Sequence, residues 1–451
     1  MKMSDLQTQV RGPIVQPGDP AYDEARRVNN AMHDRRPAAV VRATGVADVM
    51  AAVRFAARHG LPLAVRGGGH SVPGFGTCDG GLVLDLGRMR GIRVDPQRRT
   101  ARAEGGCTWG DLDHATCAFG LATTSGVVST TGVGGLTLGG GLGYLARQCG
   151  LSCDNLVSAD VVLADGSFVA CSEAEHADLF WALRGGGGNF GVVTSFEFRL
   201  HPVAHVTAGP TFYPLDGDVV RNYRDFIPSA PERLGAVLAL TMAPPLPFLP
   251  GEWHGRPVAA VIACWTGSPD EGAKVLEPLR HLGRVVGAAV GPMPYPALNS
   301  LFNDLVPAGL QQYWKGHFMR DLSDGAIEAH VQQAADVPCV QSGTFIYPLD
   351  GAPQRVAPDA TAFAHRDARF AMVIAGAWPD PADNARNMAW VRRYYAAVRP
   401  FGEEAGYVNF MAADDADRVA ANYAGNHDRL RAAKRRYDPD NVFRLNQNIA
   451  P

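Results

Sequence analysis

The chain of 451 residues lacks a long apolar run. Nothing approaches the ~18 consecutive apolar residues of a membrane helix. The stretch Met1–Pro20 has no apolar core of the kind a secretory signal carries. The expectation is therefore a soluble, cytoplasmic protein with no membrane partner. An excess of basic charge is also lacking: 42 Lys and Arg stand against 45 Asp and Glu, for a net charge of −3. No positive field is available to hold a nucleic acid. None of the eight cysteines forms a C-x-x-C pair, and most sit in apolar or glycine-rich runs. That pattern predicts buried free thiols, with neither a disulfide framework nor a metal site. No internal repeat is evident. G-x-G-x-x-G and a Walker lysine are both missing from the first glycine cluster, which excludes the Rossmann and P-loop readings there.

What the chain does have is glycine, 51 residues of it, gathered in a few places. Hydrophobic residues make up 46% and charged residues 19%, enough for a large core. The texture divides the chain into four parts. Residues 1–35 read as a lead-in with a helix predicted at Ala21–His33. Residues 36–204 alternate strand-like and helix-like segments: a strand at Ala38–Arg42, a helix at Val46–Arg58 closed by Gly60, and strands at Leu61–Val65, Leu82–Leu86 and Val157–Leu163. Residues 205–405 alternate longer strands (Gly235–Met242, Val258–Trp265, Phe370–Trp378) with helices (Asp270–Leu282, Gly325–Ala335, Asp383–Val398), an α+β pattern with an extended sheet. Residues 406–451 carry a helix predicted at Arg418–Tyr437 and a closing segment.

The sharpest local feature is Arg66-Gly67-Gly68-Gly69-His70-Ser71, directly after a strand. Successive glycines let backbone N–H groups converge and let a ligand approach closely, as a pyrophosphate requires. A lone histidine on such a loop reads as an ordinary surface residue. A second run, Gly132-Val133-Gly134-Gly135-Leu136-Thr137-Leu138-Gly139-Gly140-Gly141-Leu142-Gly143, changes that reading. Two such loops suit a long ligand with a diphosphate at its middle.

Residues 37–203 then resemble the FAD-binding domain of the vanillyl-alcohol oxidase superfamily, in its berberine bridge enzyme-like branch. The resemblance rests on Arg66–Ser71, Gly139–Gly143, Gly150-Leu151 with Asp154-Asn155-Leu156, Ala164-Asp165-Gly166, and the stretch Asp178–Gly191. The ending Asp438-Pro439 to Asn446-Gln447-Asn448-Ile449 is similar to that branch's C-terminal signature. The implied fold is α+β: a two-part PCMH-type FAD-binding domain, completed by residues 406–451, and a substrate domain with a large antiparallel sheet. The implied function is an FAD-dependent oxidase that takes hydride from a small organic substrate to flavin N5, with O2 as acceptor. The resemblance implies a bond from His70 to the flavin 8α-methyl carbon. It implies cofactor contacts from Arg66, Gly67, Gly68, Gly69, Ser71, Gly126, Ser129, Gly132, Gly135, Gly139, Gly140, Gly143, Asn446 and Asn448. Many members add a cysteine link within G-x-C-P-x-x-G. The comparable run here is Gly126–Gly132 with Val128 at the cysteine's place, which implies a single bond. Cys149 and Cys153 read as packing residues, as Trp181, Arg184 and His365-Arg366 read as structural.

The base that would accept a substrate proton is open at this stage. The strand Phe370–Trp378, where the family often presents an acid, carries none, and Tyr407-Val408-Asn409-Phe410 has phenylalanine where tyrosine is frequent. Tyr407, Asn409, Tyr144, Lys315 and His317 are left as polar candidates. Alternation in Tyr313-Trp314-Lys315-Gly316-His317-Phe318 puts Tyr313, Lys315 and His317 on one face. A half-buried lysine there would have a lowered pKa and serve as base or clamp; the alternative is a solvated lysine on an edge strand. Thr131, similar in size to valine, occupies the position the family links to O2 access. A dehydrogenase with another acceptor and a retired flavin-binding protein are the competing readings, and an alcohol or amine, aromatic or polycyclic, is the substrate class left open. So is a homo-oligomeric state.

Overall fold

A computed structural model describes residues 3–451. Ala39–Arg42, Leu82–Asp85 and Leu63–Arg66 run parallel in a four-stranded sheet, with Ile14–Val15 antiparallel at one edge. The lead-in is therefore part of this sheet rather than a separate piece. Ala39–Val41 and Leu82–Leu84 are wholly buried, as befits parallel strands covered on both faces. Val46–His59 forms the predicted helix, and burial of Val49, Ala52, Val53 and Ala56 places its apolar stripe on this core. Gly60 ends it at φ 62°, a left-handed conformation that glycine adopts without steric cost. A second, five-stranded antiparallel sheet follows in the order Ile92–Asp95, Thr100–Glu104, Val192–Arg199, Leu156–Val162, Phe168–Ser172.

The third sheet has eight strands and is antiparallel. Its main order is Gly287–Ala288, His205–Pro214, Pro257–Trp265, Leu234–Met242, Gly343–Pro348, Phe370–Trp378, Gln311–Met319. Side chains alternate strictly. Leu238, Leu240, Ile346, Met372 and Ile374 pack beneath helices Gly217–Phe226, Asp324–Ala334 and Asn384–Val398. Val237, Ala239, Tyr347, Val373 and Ala375 face the opposite way, onto Leu142, Tyr144 and Leu151 of the glycine-rich half. Both faces of the sheet are thus covered, and the second one joins the two halves of the molecule.

Three predicted helices are shorter than expected; Asp270–Leu282 is α-helical only to Leu276 and runs on as a 3-10 turn to His281. Only Tyr22–Ala25 of Ala21–His33 is helical. The Arg66 guanidinium takes the Ala25 and Arg27 carbonyls that a longer helix would spend on itself, and Asn30 turns aside to bond the Val72 and Gln312 carbonyls. Arg418–Tyr437 divides into Val419–Tyr423 and His427–Tyr437 around Ala424 at φ 44°, where Asn426 binds the Pro358 and Thr361 carbonyls. All eight cysteines are free thiols. Among the described residues no helix is long and apolar enough to cross a membrane, and no cluster of His, Cys, Asp and Glu could hold a metal ion.

His317 and His330 lie under the helix-covered face, 1% and 0% exposed. Neither ring nitrogen of His317 has a partner, and His330 meets only Tyr394. Burial pushes His317 down to about 3 and His330 to about 4 from the ordinary 6.5. Both stay neutral in the folded state while the unfolded chain takes up protons below pH 6.5. Stability should therefore fall as pH drops from 6.5 towards 4, by up to about 1.4 kcal/mol per pH unit for each ring. Denaturant unfolding at pH 7.5 and pH 5 measures this. A His317→Leu, His330→Phe double variant should show a flatter dependence; a slope equal to that of the native protein would refute the assignment.

Candidate active site

The strand Leu63–Arg66 delivers Gly67–Ser71 to the molecule's centre, where it meets the second glycine run backbone to backbone. A Cβ on Gly68 would lie 2.7 Å from the Gly132 Cα, and one on Gly132 would lie 2.9 Å from the Gly68 Cα. Neither contact is sterically allowed, so only glycine fits at both places. The second run is held from behind by Trp109 N–H on the Thr131 carbonyl, Gly110 N–H on the Ser129 carbonyl and Val133 N–H on the Cys107 carbonyl. His70 sits on the lip formed where the loops meet. Its Nε2 lies 3.0 Å from Thr130 Oγ1. Among the described residues nothing hydrogen-bonds Nδ1. Burial lowers the ring's pKa to about 4, against the opposing contact with Thr130, so it is neutral at physiological pH. A neutral imidazole with a free nitrogen is the state required of a nucleophile.

The remaining glycines sort into two groups. Gly135 is exposed with nothing near its missing side chain. Added Cβ atoms on Gly126, Gly139, Gly140 and Gly143 would meet Leu136, the Asn409 amide, Phe363 and the Ser125 carbonyl respectively, so these four are small to admit neighbouring chain. Arg66 likewise has a task within the fold. Its guanidinium is committed to Asp85 and to the Ala25 and Arg27 carbonyls, so it anchors the lead-in behind the loop. The Ser71 hydroxyl accepts from Phe75 N–H and shapes its own turn.

The C-terminal segment closes the other side. Tyr407 and Asn409 reach the second glycine run, but their polar atoms are spent on it. The Tyr407 hydroxyl accepts from Gly141 N–H at 2.8 Å and from Asn409 Nδ2 at 2.7 Å, and Asn409 also donates to the Leu136 carbonyl. Burial holds the Tyr407 phenol well above its usual pKa. It is a poor base and a good brace. Asn446 donates to the Gly188 carbonyl, and Asn189 binds Gly186, Gln447 and Ile449, while Gly187 N–H donates to Leu138 of the glycine run. Asn446 Oδ1, Gln447 Nε2 and Asn448 Oδ1 are buried with no partner. Buried polar atoms are seldom left so, and those that are mark strain or a ligand.

The strand Gln311–Met319 alternates as predicted, yet the face carrying Tyr313, Lys315 and His317 is the one beneath the helices, turned from the glycine loops. Lys315 is buried between Asp414 at 2.8 Å and Asp415 at 2.7 Å. Burial alone would lower its pKa; the hydrogen bonds to the two aspartates outweigh that and raise it. The expectation of a depressed lysine base is overturned. The face towards the loops presents Trp314, Phe318, Phe345, Tyr347, Val373 and Ala375, with Phe410 against Trp314 and Tyr347. Tyr144 joins it, buried and also raised by burial. No protein group among the described residues hydrogen-bonds the Tyr144 or Tyr347 hydroxyl. Tyr347 was missed by sequence reasoning; the alternation Phe345-Ile346-Tyr347 was the available signal. Arg366 pairs with Asp154 and serves the structure, as expected.

Comparison with known proteins agrees with this geometry. Residues 37–172 match the FAD binding domain family, and residues 406–450 match the berberine and berberine-like family. The FAD-linked oxidoreductase YgaK of Bacillus subtilis (strain 168) is 33% identical over 98% of both chains. The (R)-6-hydroxynicotine oxidase of Paenarthrobacter nicotinovorans is 31% identical over 98% of this chain and 97% of its own. The crystal structure of 6-hydroxy-D-nicotine oxidase from Arthrobacter nicotinovorans superposes with TM-score 0.86 at 29% identity, covering 98% of each chain. Glucooligosaccharide oxidase from Acremonium strictum, described with 6-S-cysteinyl, 8α-N1-histidyl FAD, gives TM-score 0.86 at 25% identity over 100% and 99% of the chains.

The unpartnered Asn446, Gln447 and Asn448 atoms, the free nitrogen of neutral His70 and the glycine lip all fit FAD. Gly68→Ala and Gly132→Ala each place a methyl where only backbone lies, so the loops must part. Each should cut FAD per protein at least about tenfold, the change that a loss of about 1.4 kcal/mol of binding produces. Gly45→Ala, at an extended residue with open space around it, is the control and should keep its FAD. Full FAD content in both loop variants, read from absorbance after gel filtration, would show that the contact does not build the site.

Proposed function

The chain belongs to the berberine bridge enzyme-like FAD-linked oxidoreductases, and from that premise we propose that it carries FAD on a single bond to His70 and oxidises a small, uncharged, aromatic alcohol or amine with O2 as acceptor. That it is an FAD-dependent oxidoreductase follows from its family. The attachment, the substrate and the acceptor are the proposal. Bound FAD supplies a two-electron acceptor for hydride from a substrate carbon. Attachment, were FAD bound, would join an imidazole nitrogen of His70 to the 8α carbon, with one methyl hydrogen and the ring N–H hydrogen leaving as protons and the two electrons going to O2.

The observation that carries the reading is the placing of His70. It stands neutral on the lip between the two loops, Nε2 engaged by Thr130 and Nδ1 free. Val128, half-buried two residues before Thr130, offers no sulfur for a second bond. The substrate class follows from the sheet. Trp314, Phe345, Tyr347 and Phe410 form an apolar aromatic wall, and the strand side chains on that face include no carboxylate, lysine or histidine. A charged substrate would lose its hydration there without recompense. Tyr347 and Tyr144 supply hydrogen bonds as protonated phenols, since burial raises both. Asn446, Gln447 and Asn448 would hold the cofactor from the C-terminal side. Thr131 is half-buried and of modest size, which supports O2 access.

Acid precipitation of native protein should leave yellow FAD in the pellet, and His70→Ala should release it to the supernatant. Native protein that releases all its FAD would overturn the attachment. For the acceptor, enzyme reduced anaerobically by substrate and mixed with air-saturated buffer should regain its flavin absorbance within the time of a turnover. Reoxidation slower than turnover with an artificial acceptor would instead make it a dehydrogenase.

A further inference from the structure

The segment Gly126–Thr131 lies beside His70, yet no covalent link fixes it. Three polar side chains from one stretch of chain reach it and the Ser125 that precedes it: Tyr295 and Asn299 from the short helix Tyr295–Asn299, and Asn303 from the turn that follows. Tyr295 OH lies 2.9 Å from Ser125 Oγ. Asn299 Nδ2 donates to Ser125 Oγ at 2.6 Å and to Asp113 Oδ2 at 2.7 Å. Asn303 Nδ2 donates to Ser129 Oγ at 2.8 Å. Gly126, Val127 and Val128 are therefore bracketed at both ends by that stretch. Ser129 is followed by Thr130, whose hydroxyl meets His70. Asp113 is 1% exposed, and among the described residues no cation pairs with it. A buried carboxylate without a counter-charge is costly, and its one side-chain partner is the amide that holds Ser125.

We propose that Asn299 and Asn303 are positioning residues that set His70 for bond formation, acting through Ser125, Ser129 and the Thr130 hydroxyl. The inference rests on the reading of His70 as the attachment residue. A bond forms only when the imidazole nitrogen and the carbon it attacks are held at contact distance, and a displacement near 1 Å costs about a hundredfold in rate. The bracket supplies that precision from outside the loop. Losing it removes the hydrogen bond at Ser129 and frees the loop to carry Thr130 away from His70, while the glycine contact and the C-terminal segment still hold the cofactor.

The test compares total FAD with acid-stable FAD in full-length protein. Asn303→Leu and Thr130→Val should each keep near-native total FAD but lower the acid-stable fraction at least about tenfold early after expression. Asn303→Asp, which can accept from the Ser129 hydroxyl, should restore it. Thr130 is exposed, so its variant tests the chain of contacts even where Asn303→Leu fails to fold. A native-like acid-stable fraction in Thr130→Val overturns the inference and leaves the His70 reading standing. So does joint loss of free and bound FAD in Asn303→Leu with no rescue by Asn303→Asp, which would make the residue merely structural. Native protein with no acid-stable FAD fails the His70 reading itself, and the inference falls with it.

Discussion

Gly68 and Gly132 touch backbone to backbone, and the rest of the site is arranged around that contact. Two chains come so close only where both residues lack a side chain. The approach brings the end of a parallel strand against the start of the short helix Val133–Leu138. It carries His70 to Thr130 without any long side chain to bridge the gap. The groups behind each loop then take supporting tasks. Arg66 ties the first loop to Asp85 and the lead-in, and the turn Cys107–Gly110 supports the second through three backbone hydrogen bonds. Gly139, Gly140 and Gly143 of the second run yield space to Asn409, Phe363 and Ser125, so neighbouring chain, the C-terminal segment included, can pack tightly behind the lip.

The large sheet imposes the second constraint. A strand has two faces, and a residue's parity decides which environment it enters. On Gln311–Met319 the odd residues Tyr313, Lys315 and His317 go under the helices, where Lys315 is neutralised by Asp414 and Asp415. The even residues Trp314 and Phe318 go towards the glycine loops. Charge is thereby sorted away from the reaction side. The loop-facing side is left with tyrosine hydroxyls and aromatic surface.

How much of this could be read in the chain depends on whether the cause was local. The close approach of the glycine loops was legible because steric permission is a property of the residues themselves. The alternation of residues 313–318 was legible for the same reason, but the choice of face was not, since it is set largely by the helix Asn384–Val398, far along the chain. The helix Ala21–His33 failed because Arg66 competes for its carbonyls, and Arg418–Tyr437 was read as continuous because the Asn426 side chain finds its partners near residue 360. Asn299 and Asn303 gave no signal at all. Two amides on a polar turn acquire meaning only when the fold sets Ser125 and Ser129 opposite them.

The unpartnered atoms of Asn446, Gln447 and Asn448 belong to the same logic of positions fixed elsewhere. The Lys434 ammonium is wholly buried and donates to Asp438 and to the Asn189 and Phe443 carbonyls. Asp438 in turn accepts from Val442 and Phe443 N–H. Breaking such a pair by removing one member costs about 3–5 kcal/mol, so the turn that leads into Asn446 is held firmly. Ile449 N–H is fixed on Asn189 beyond it. Between those two clamps the three side chains cannot rearrange to pair with one another or with the backbone. Each unpartnered group carries a penalty of about 1–3 kcal/mol. A ligand that satisfies them recovers that penalty on binding, and because the frame is already rigid it loses little to ordering the protein. The buried ion pair at Lys434 thus fixes the turn on which those three atoms stand unpartnered.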